Sequence, residues 1–158
     1  MLLALDISTS CTGYCIFDED KLIDIGSINL SKHKGLFEKA SLVKSEILRL
    51  GSKYQISNVA VEENLQAFRP GLSSAKTLMT LAQFNGVVRW ICHERLGVAV
   101  VSINVNTARK SVGLKINKKD KTRTTKEKVL DWVSIDLPDM KWPTKILKSG
   151  PNKGKERI

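Results

Sequence analysis

Two acidic residues in this sequence each follow a short apolar run. Asp6 comes directly after Leu2–Leu5, and Glu62 comes directly after Val59–Val61. Two carboxylates held close together repel each other unless a cation binds between them, and oxygen ligands of this kind suit Mg²⁺ or Mn²⁺. A pair of such ions about 3.5 to 4 Å apart activates a water and stabilises the leaving oxygen when a phosphodiester is cut. We therefore expect Asp6 and Glu62 to be catalytic residues that bind two metal ions.

Glu63 is a secondary candidate, because it is the direct neighbour of Glu62. Successive side chains of a strand point to opposite faces, so only one of these two acids can face the site, and we expect it to be Glu62. An ordinary role in a turn or at a strand end would be the simpler explanation of Asp6 or of Glu62 alone. It explains less well two such acids beside a basic surface.

The elements that position these acids are indicated by the spacing of apolar residues. Three runs separated by small or charged residues predict an antiparallel meander with strands over 2–7, 13–17 and 22–30. In the third run the apolar phase shifts across Gly26 and Ser27, which predicts a bulge or bend in an edge strand. Apolar residues at steps of three and four from Leu36 to Leu50 predict an amphipathic helix that ends at Gly51.

The second half of the predicted sheet comes from two strand-helix-strand crossovers. The remaining elements are a buried central strand over 58–62, a helix over 75–96 ended by Gly97, a fifth strand over 98–103, a short helix capped by Asn106 or Thr107, and a helix opened by the capping box Thr124–Glu127. The 75–96 helix is expected to bury Leu78, Leu81, Ala82, Val88, Ile91 and Cys92. This order predicts an α/β fold in which helices flank a mixed five-stranded sheet. Asp6 and Glu62 then lie side by side at the carboxyl ends of their strands.

The positive charge of the chain lies mostly in its last third. The sequence has 158 residues and a formal net charge of +10. Residues 1–108 hold 11 basic and 10 acidic residues, whereas residues 109–158 hold 15 basic and 6 acidic residues. Such a distribution predicts a polyanionic partner, nucleic acid above all. A basic loop at about 113–124 is expected to grip the DNA backbone through Lys115, Lys118 and Lys119.

Length and cysteine content limit the class of protein further. A chain of 158 residues is expected to form one domain, which excludes a two-lobed enzyme. No apolar run approaches the roughly 18 residues that span a bilayer, and the amino end lacks the basic start of a signal peptide. The three cysteines, Cys11, Cys15 and Cys92, suit neither a disulfide framework nor a four-ligand zinc site. We therefore expect a soluble cytoplasmic protein with free thiols and no membrane partner.

Four segments resemble the RuvC family of Holliday junction resolvases, in the RNase H-like superfamily. Leu3–Tyr14 is similar to the family's amino-terminal motif, with an apolar strand, an Asp, a small-residue turn and Thr-Gly-Tyr. Val59–Glu63 resembles the strand that carries the family's catalytic Glu, and Leu81–Val87 resembles the small-residue helix of its dimer interface. Asn106–Val112 resembles an Arg/Lys segment of the family. Ser8 departs from the pattern, since many members have Gly there.

The resemblance implies an RNase H-like, homodimeric, Mg²⁺-dependent endonuclease that makes paired nicks at four-way DNA junctions in recombination and repair. Asp6 and Glu62 match the family's first two metal-binding acids. The family uses an apolar wedge at the junction centre, which implies this role for Leu65 or Phe68, with loop packing as the alternative. Arg69, Arg109 and Lys110 are expected to contact DNA. We expect a bacterial or bacteriophage source.

The family completes its site with two further acids, spaced Asp-x-x-Asp on a final helix. Asp136 and Asp139 have this spacing, but Pro138 breaks the helix in which they would have to lie. The tail, residues 145–158, is interpreted as a loop. We therefore expect residues 1–158 to be a single nuclease domain with a truncated C-terminal end.

Three other functions stay open at this point. A junction-binding protein without catalysis would fit a chain that lacks the last two acids. An RNase H-type nuclease that cuts RNA in RNA-DNA hybrids uses the same superfamily fold. A sugar-kinase-like ATPase would match the Ser/Thr/Gly-rich segment 8–13, but 158 residues do not supply its second lobe.

Overall fold

Residues 1–108 fold around a mixed five-stranded sheet, in a computed structural model that describes residues 1–63, 74–116, 124–138, 140, 145–146, 154 and 156–157. Two compact units are present, Met1–Ala108 and Arg109–Ile158. The elements are β1 (Leu2–Asp6), β2 (Cys11–Asp18), β3 (Lys21–Asn29), α1 (Leu36–Lys53), β4 (Asn58–Glu62), α2 (Ala75–Leu96), β5 (Val100–Ile103), α3 (Val105–Ser111), α4 (Thr125–Asp136), β6 (Lys145–Ile146) and β7 (Glu156–Arg157). The single domain expected from the length stays a prediction.

The order of strands across the sheet is β3-β2-β1-β4-β5. Strands β1, β2 and β3 form an antiparallel meander, and β4 and β5 run parallel to β1. This confirms the predicted α/β fold and its mixed five-stranded sheet. Strands β1, β3, β4 and β5 therefore all end on the same side, which is called the carboxyl edge below.

One face of the sheet is covered by α1 and α2. Alternate residues of the two central strands, Leu3, Leu5, Val59 and Val61, are buried there. Helix α1 contributes Ala40, Val43, Ile47 and Leu50, and α2 contributes Phe84, Val88, Ile91 and Cys92. Because each large apolar side chain stabilises the fold by about 1.5 to 3 kcal/mol when fully buried, this core fixes the two central strands firmly.

Helix α1 is longer than its apolar spacing predicts. It continues through Gly51 and ends at Lys53, so the prediction that Gly51 ends the helix was wrong. A Cβ atom at position 51 would lie 2.6 Å from Cδ2 of Leu96, at the end of α2. The glycine therefore lets the two helices approach each other and does not act as a helix terminator.

The irregularity in the meander lies elsewhere than predicted. Ile16 pairs with Asp24 but Phe17 pairs with Leu22, so β3 has its extra residue at Ile23. The bulge or bend predicted at Gly26 and Ser27 was wrong, although β3 is an edge strand as expected. Gly26 pairs with Tyr14, whose ring occupies the space that a side chain at position 26 would need.

The ends of the later elements also differ in detail from the prediction. Helix α2 has the predicted bounds, with Gly97 in a left-handed conformation at φ 66°, but Ala82 is exposed and does not face inward. Helix α3 is capped by neither Asn106 nor Thr107. Its cap is Asn104, whose Oδ1 accepts hydrogen bonds from the backbone N–H groups of those two residues at 3.0 and 3.4 Å.

The second unit contains α4 and a two-stranded sheet. The predicted capping box is present: Oγ1 of Thr124 accepts from the N–H of Glu127 at 3.3 Å, and Oε2 of Glu127 accepts from the N–H of Thr124 at 2.7 Å. Helix α4 ends before Pro138, as predicted. Strands β6 and β7 pair with each other, so the interpretation of the tail as a loop was wrong at those residues. Within the described part of the chain, no helix is long and apolar enough to cross a bilayer.

Candidate functional site

Asp6 and Glu62 lie next to each other at the carboxyl edge. Strands β1 and β4 pair in parallel with Leu5 opposite Val61, and each acid is the next residue of its strand. Both side chains are exposed, and both line the same cleft. The structure thus brings together the two acids that the sequence singled out.

The cleft lies on the face of the sheet opposite α1 and α2. Its volume is about 440 Å³, which is within the usual range of ligand-binding clefts. Small and apolar residues form most of its wall, and they include Ala4, Cys15, Ile25, Ala60 and Ile103. Two carboxylates at the rim of an apolar wall are a local concentration of negative charge, which a cation would neutralise.

Gly13 leaves space beside Asp6. It is the direct partner of Asp6 in the β1–β2 ladder, and it also lines the cleft. A Cβ atom at position 13 would lie 3.9 Å from Cβ of Asp6, and any larger side chain would extend into the cleft next to the carboxylate. The absence of a side chain therefore keeps one flank of Asp6 open.

The turn that follows Asp6 is fixed by the side chains of Thr12 and Lys39. The Thr12 hydroxyl is fully buried, donates to the carbonyl of Ser8 at 3.0 Å and accepts from its N–H at 3.3 Å. The Lys39 ammonium, from α1, donates to the carbonyl of Thr9 at 2.6 Å. Sequence reasoning gave neither residue a role. Thr12 stood inside the quoted Thr-Gly-Tyr, whereas nothing in the sequence connects Lys39 with a residue 30 positions earlier.

Glu63 is held away from the cleft. Its carboxylate accepts a hydrogen bond from Nδ2 of Asn104 at 2.9 Å, and its backbone N–H donates to the carbonyl of Ile103. Glu63 does not line the cleft, whereas Glu62 does. Of the two neighbouring acids, the structure thus places Glu62 in the cleft, and the catalytic role expected for Glu62 stays a prediction.

The donor set at this edge suits a hard divalent cation. Mg²⁺ is commonly held by one or two carboxylates, with waters and substrate phosphates as the other ligands, and Asp6 and Glu62 supply two carboxylates on one face. No group of three or more His, Cys, Asp or Glu residues suited to a metal occurs among the described residues. The described chain thus offers carboxylate oxygens that fit Mg²⁺ or Mn²⁺ and offers no thiolate or imidazole set for zinc.

Some of the other residues predicted to bind DNA or metal lie in the described part of the chain, and the rest lie outside it. Arg109 and Lys110 form the end of α3, where their carbonyls accept from the N–H groups of Leu114 and Gly113, and Lys115 follows as an exposed residue. Asp136 is the exposed last residue of α4. The following residues lie outside the described part of the chain: Leu65, Phe68, Arg69, Lys118, Lys119 and Asp139.

A polar network joins α1 to the meander behind the site. Arg49 binds both carboxylate oxygens of Glu46, at 2.7 and 2.9 Å, and donates to the Tyr14 hydroxyl at 3.1 Å. Burial, together with the hydrogen bond to Glu46, raises the pKa of Tyr14. The Tyr54 hydroxyl donates to Asp24 at 2.7 Å and lowers the pKa of that carboxyl. These contacts fix β2 and β3 against α1.

All three cysteines are free thiols, as expected. Cys11 is exposed at the start of β2, and Cys15 lines the cleft. Burial raises the pKa of the Cys15 thiol, and it raises the pKa of Cys92 to about 12.

The fold resembles that of solved Holliday junction resolvases, although no protein-family model and no curated protein matches the sequence. Thermus thermophilus RuvC in complex with a Holliday junction substrate has a TM-score of 0.58 and 16% identity, over 70% of this chain and 68% of that chain. A second Thermus thermophilus RuvC structure has a TM-score of 0.58 and 17% identity, over 95% of this chain and 82% of that chain. The yeast mitochondrial Holliday junction resolvase Ydc2 has a TM-score of 0.50 and 15% identity, over 86% of this chain and 61% of that chain. The chain therefore has the fold of these RuvC structures, as the sequence motifs predicted.

Proposed function

We propose that this chain is a RuvC-type endonuclease that hydrolyses phosphodiester bonds at four-way DNA junctions. One observation carries the proposal: Asp6 and Glu62 lie side by side, on one face and at the carboxyl edge, in a sheet with the fold of RuvC. The structural neighbours include a RuvC in complex with a Holliday junction substrate. The excess of basic residues in 109–158 supports a nucleic-acid partner.

The residues of the chain divide the catalytic work as follows. Asp6 and Glu62 would hold Mg²⁺ or Mn²⁺, and such ions supply an activated water and stabilise the leaving oxygen. Thr12 and Lys39 hold the turn after Asp6 and so restrict the position of its carboxylate. Gly13 keeps a flank of that carboxylate open to the substrate phosphate. Both carboxylates are exposed at the rim of the apolar wall, where a cation and a substrate phosphate can reach them.

A second part of the proposal concerns DNA binding outside the catalytic acids. Arg109, Lys110, Lys115, Lys118 and Lys119 would bind phosphates, which gives affinity without reading the sequence. Leu65 or Phe68 would insert at the junction centre, and Arg69 would contact the DNA. Insertion of an apolar side chain costs stacking energy but stabilises an opened junction.

The proposed enzyme acts as a homodimer, because two coordinated nicks need two sites. Helix α2 supports this part with an exposed stripe at steps of three and four that contains Met79, Ala82, Gly86 and Trp90. Met79 is 65% exposed and Trp90 is 61% exposed. Large exposed apolar side chains beside small residues are typical of a surface that binds another protein, and Trp is enriched at the centre of such surfaces.

The test is a binding and nicking assay with a mobile four-way junction and a linear duplex of the same sequence. We expect tighter binding to the junction, and nicking that requires Mg²⁺ or Mn²⁺ and falls at least 100-fold in Asp6→Asn, because the amide cannot replace a charged ligand. Asp18→Asn, at the far end of β2, is the matched control and should nick at the parent rate. Equal affinity for both DNAs, or nicking unchanged by Asp6→Asn, would falsify the proposal.

Two alternatives give different results in the same assay. A junction-binding protein without catalysis would bind the junction selectively but leave every strand intact at any metal concentration. A hybrid nuclease would degrade the RNA strand of an RNA-DNA hybrid and leave four-way DNA uncut.

A further inference from the structure

A short basic segment between β3 and α1 lies at the same edge of the sheet as the two catalytic acids. Strand β3 ends at Asn29, which pairs with Cys11 at the start of β2. The next residue, Leu30, donates its N–H to the carbonyl of Ser10 at 2.8 Å, within the turn that follows Asp6. The segment Ser31–Lys34 therefore continues directly from the carboxyl edge, and it is called the basic rim below.

The charge of the basic rim is exposed. The side chains of Lys32 and Lys34 are exposed, and within the described ranges neither has a carboxylate at ion-pair distance. The nearby acid, Glu38, is bound instead to Nδ1 of His33 at 2.6 Å. Lys39 adds a third ammonium group next to the rim, at the carbonyl of Thr9. The rim therefore presents two unneutralised positive charges in a unit that is otherwise almost neutral.

The distance from the acids suits a neighbouring phosphate of the same DNA strand. Strands β3 and β1 are separated by β2, and adjacent strands lie about 4.8 Å apart, so Ser27, which is level with Asp6, lies about 10 Å from the strand of Asp6. The rim begins four residues after Ser27. Each nucleotide of a duplex strand rises about 3.4 Å along the axis, so a separation of about 10 Å or more corresponds to roughly three or more nucleotides. A DNA strand with its scissile phosphate at Asp6 and Glu62 can therefore reach the rim within a few nucleotides.

Positive charge beside the acids favours the approach of DNA. Asp6, Glu62 and Glu63 all lie at the carboxyl edge and repel a polyanion that approaches it when no metal ion is bound. Lys32 and Lys34 offset this repulsion on the β3 side of the acids, independently of the basic residues after position 108.

We propose that Lys32 and Lys34 bind the DNA backbone a few nucleotides from the scissile phosphate. This inference rests on the proposed function for the position of the scissile phosphate, but it needs only phosphate chemistry and no particular base sequence. The bound strand then lies across the carboxyl edge, from the rim over the β1–β2 turn to the two acids.

The test compares the salt dependence of DNA binding in the variants Lys32→Gln/Lys34→Gln and Lys21→Gln/Arg95→Gln. The control variant removes two positive charges at the opposite edge of the sheet, where β3 begins and α2 ends; Arg95 is paired there with Glu94 at 2.6 Å. Loss of two phosphate contacts should reduce the slope of log K against log salt by about 1.8 and weaken binding roughly 10-fold or more at 0.15 M salt. The control should keep the slope of the parent chain. Lys32→Arg/Lys34→Arg keeps both charges and should also keep the slope.

Each result bears on one proposal or both. A slope for Lys32→Gln/Lys34→Gln equal to that of the control overturns the basic rim. If the parent chain binds linear duplex as tightly as the junction, junction selectivity fails, while the difference in slope between the two variants still decides the rim. If the parent chain binds neither DNA, both proposals are overturned.

Discussion

The hydroxyl of Thr12 is bonded on both sides to Ser8, two residues after Asp6. Thr12 is fully buried, whereas Ser8 is half-buried. Lys39 binds the carbonyl of Thr9, the residue after Ser8. Thr12 and Lys39 together restrict the conformation of the turn that follows Asp6. A carboxylate on a rigid turn binds a cation better than one on a mobile turn, because less ordering accompanies binding.

The substitution Thr12→Val keeps the shape of this side chain but removes its hydroxyl. We expect a loss of about 1 to 3 kcal/mol in the free energy of unfolding, because the Ser8 N–H and carbonyl lose their partner. Urea denaturation measures the loss. Thr12→Ser keeps the hydroxyl and should lose less, so equal losses in the two variants would contradict a role for these hydrogen bonds.

At the scale of elements, α1 is fixed to the meander by side chains far apart in the sequence. Tyr14 packs over Gly26 and accepts from Arg49, and Tyr54 at the end of α1 binds Asp24 of β3. Lys53 also reaches Asp24, at 3.4 Å, and lies over the Tyr54 ring. These contacts hold β2 and β3 against α1. Because Gly13 of β2 pairs with Asp6, they also help to position the residue beside that acid.

Tyr54→Phe should make stability less dependent on pH in the acid range. The pKa of Asp24 is lowered from its ordinary value of 3.8, chiefly by the Tyr54 hydroxyl, so the folded state binds a proton less readily than the unfolded state. The resulting stabilisation is complete above the ordinary value and is lost as the pH falls through the lowered one.

Denaturation of the parent chain and Tyr54→Phe between pH 2 and pH 7 measures this effect. We expect the parent chain to be more stable by about 1 kcal/mol at pH 7, since the pair is partly exposed to solvent, and the difference to shrink below about pH 4. A difference that stays constant over the whole range would contradict the assignment to Asp24.

The positions that the sequence predicts well are those set by local pattern. The central strand over 58–62 and the helix over 75–96 have the predicted bounds, because consecutive apolar residues and a terminal glycine are local signals. Gly51 and Gly26 were misread for the opposite reason: their roles depend on Leu96 and Tyr14, which the fold brings in from elsewhere. That Asp6 and Glu62 lie side by side was predictable only after the strand order had been inferred.

The residues that hold the site in place were unpredictable for the same reason, because their roles depend on contacts between distant parts of the chain. Lys39 binds Thr9, 30 positions away, and Asn104 binds Glu63, 41 positions away. Neither Lys39 nor Asn104 belongs to a motif. Their roles could be identified only once the carboxyl edge existed as a surface. The same holds for the basic rim, since Lys32 and Lys34 are ordinary surface lysines in the sequence and become neighbours of the site through the β2–β3 pairing.

At the scale of the whole molecule, the proposed dimer depends on the exposed stripe of α2. Trp90→Ser should convert a dimer to a monomer, or weaken its association roughly 30-fold or more, because central Trp residues contribute about 2 kcal/mol or more to interfaces. The free energy of unfolding of the monomer should change little, because Trp90 is 61% exposed.

Sedimentation over a concentration series measures the change in association. Phe37→Ser is the matched control, since Phe37 is a large apolar residue of α1 that is 78% exposed and lies outside the stripe. Loss of dimer in the Phe37 variant with retention in the Trp90 variant would move the interface to α1.

The unequal burial of the three cysteines provides a chemical handle on the carboxyl edge. A maleimide reacts with an accessible thiolate, whereas Cys92 is buried and Cys15 is half-buried, and burial raises the pKa of both thiols. Cys11 is exposed at the first residue of β2, beside the turn that follows Asp6. A maleimide fluorophore added to the unmutated chain would therefore react with Cys11 first. The attached fluorophore would report on any DNA strand that crosses the carboxyl edge.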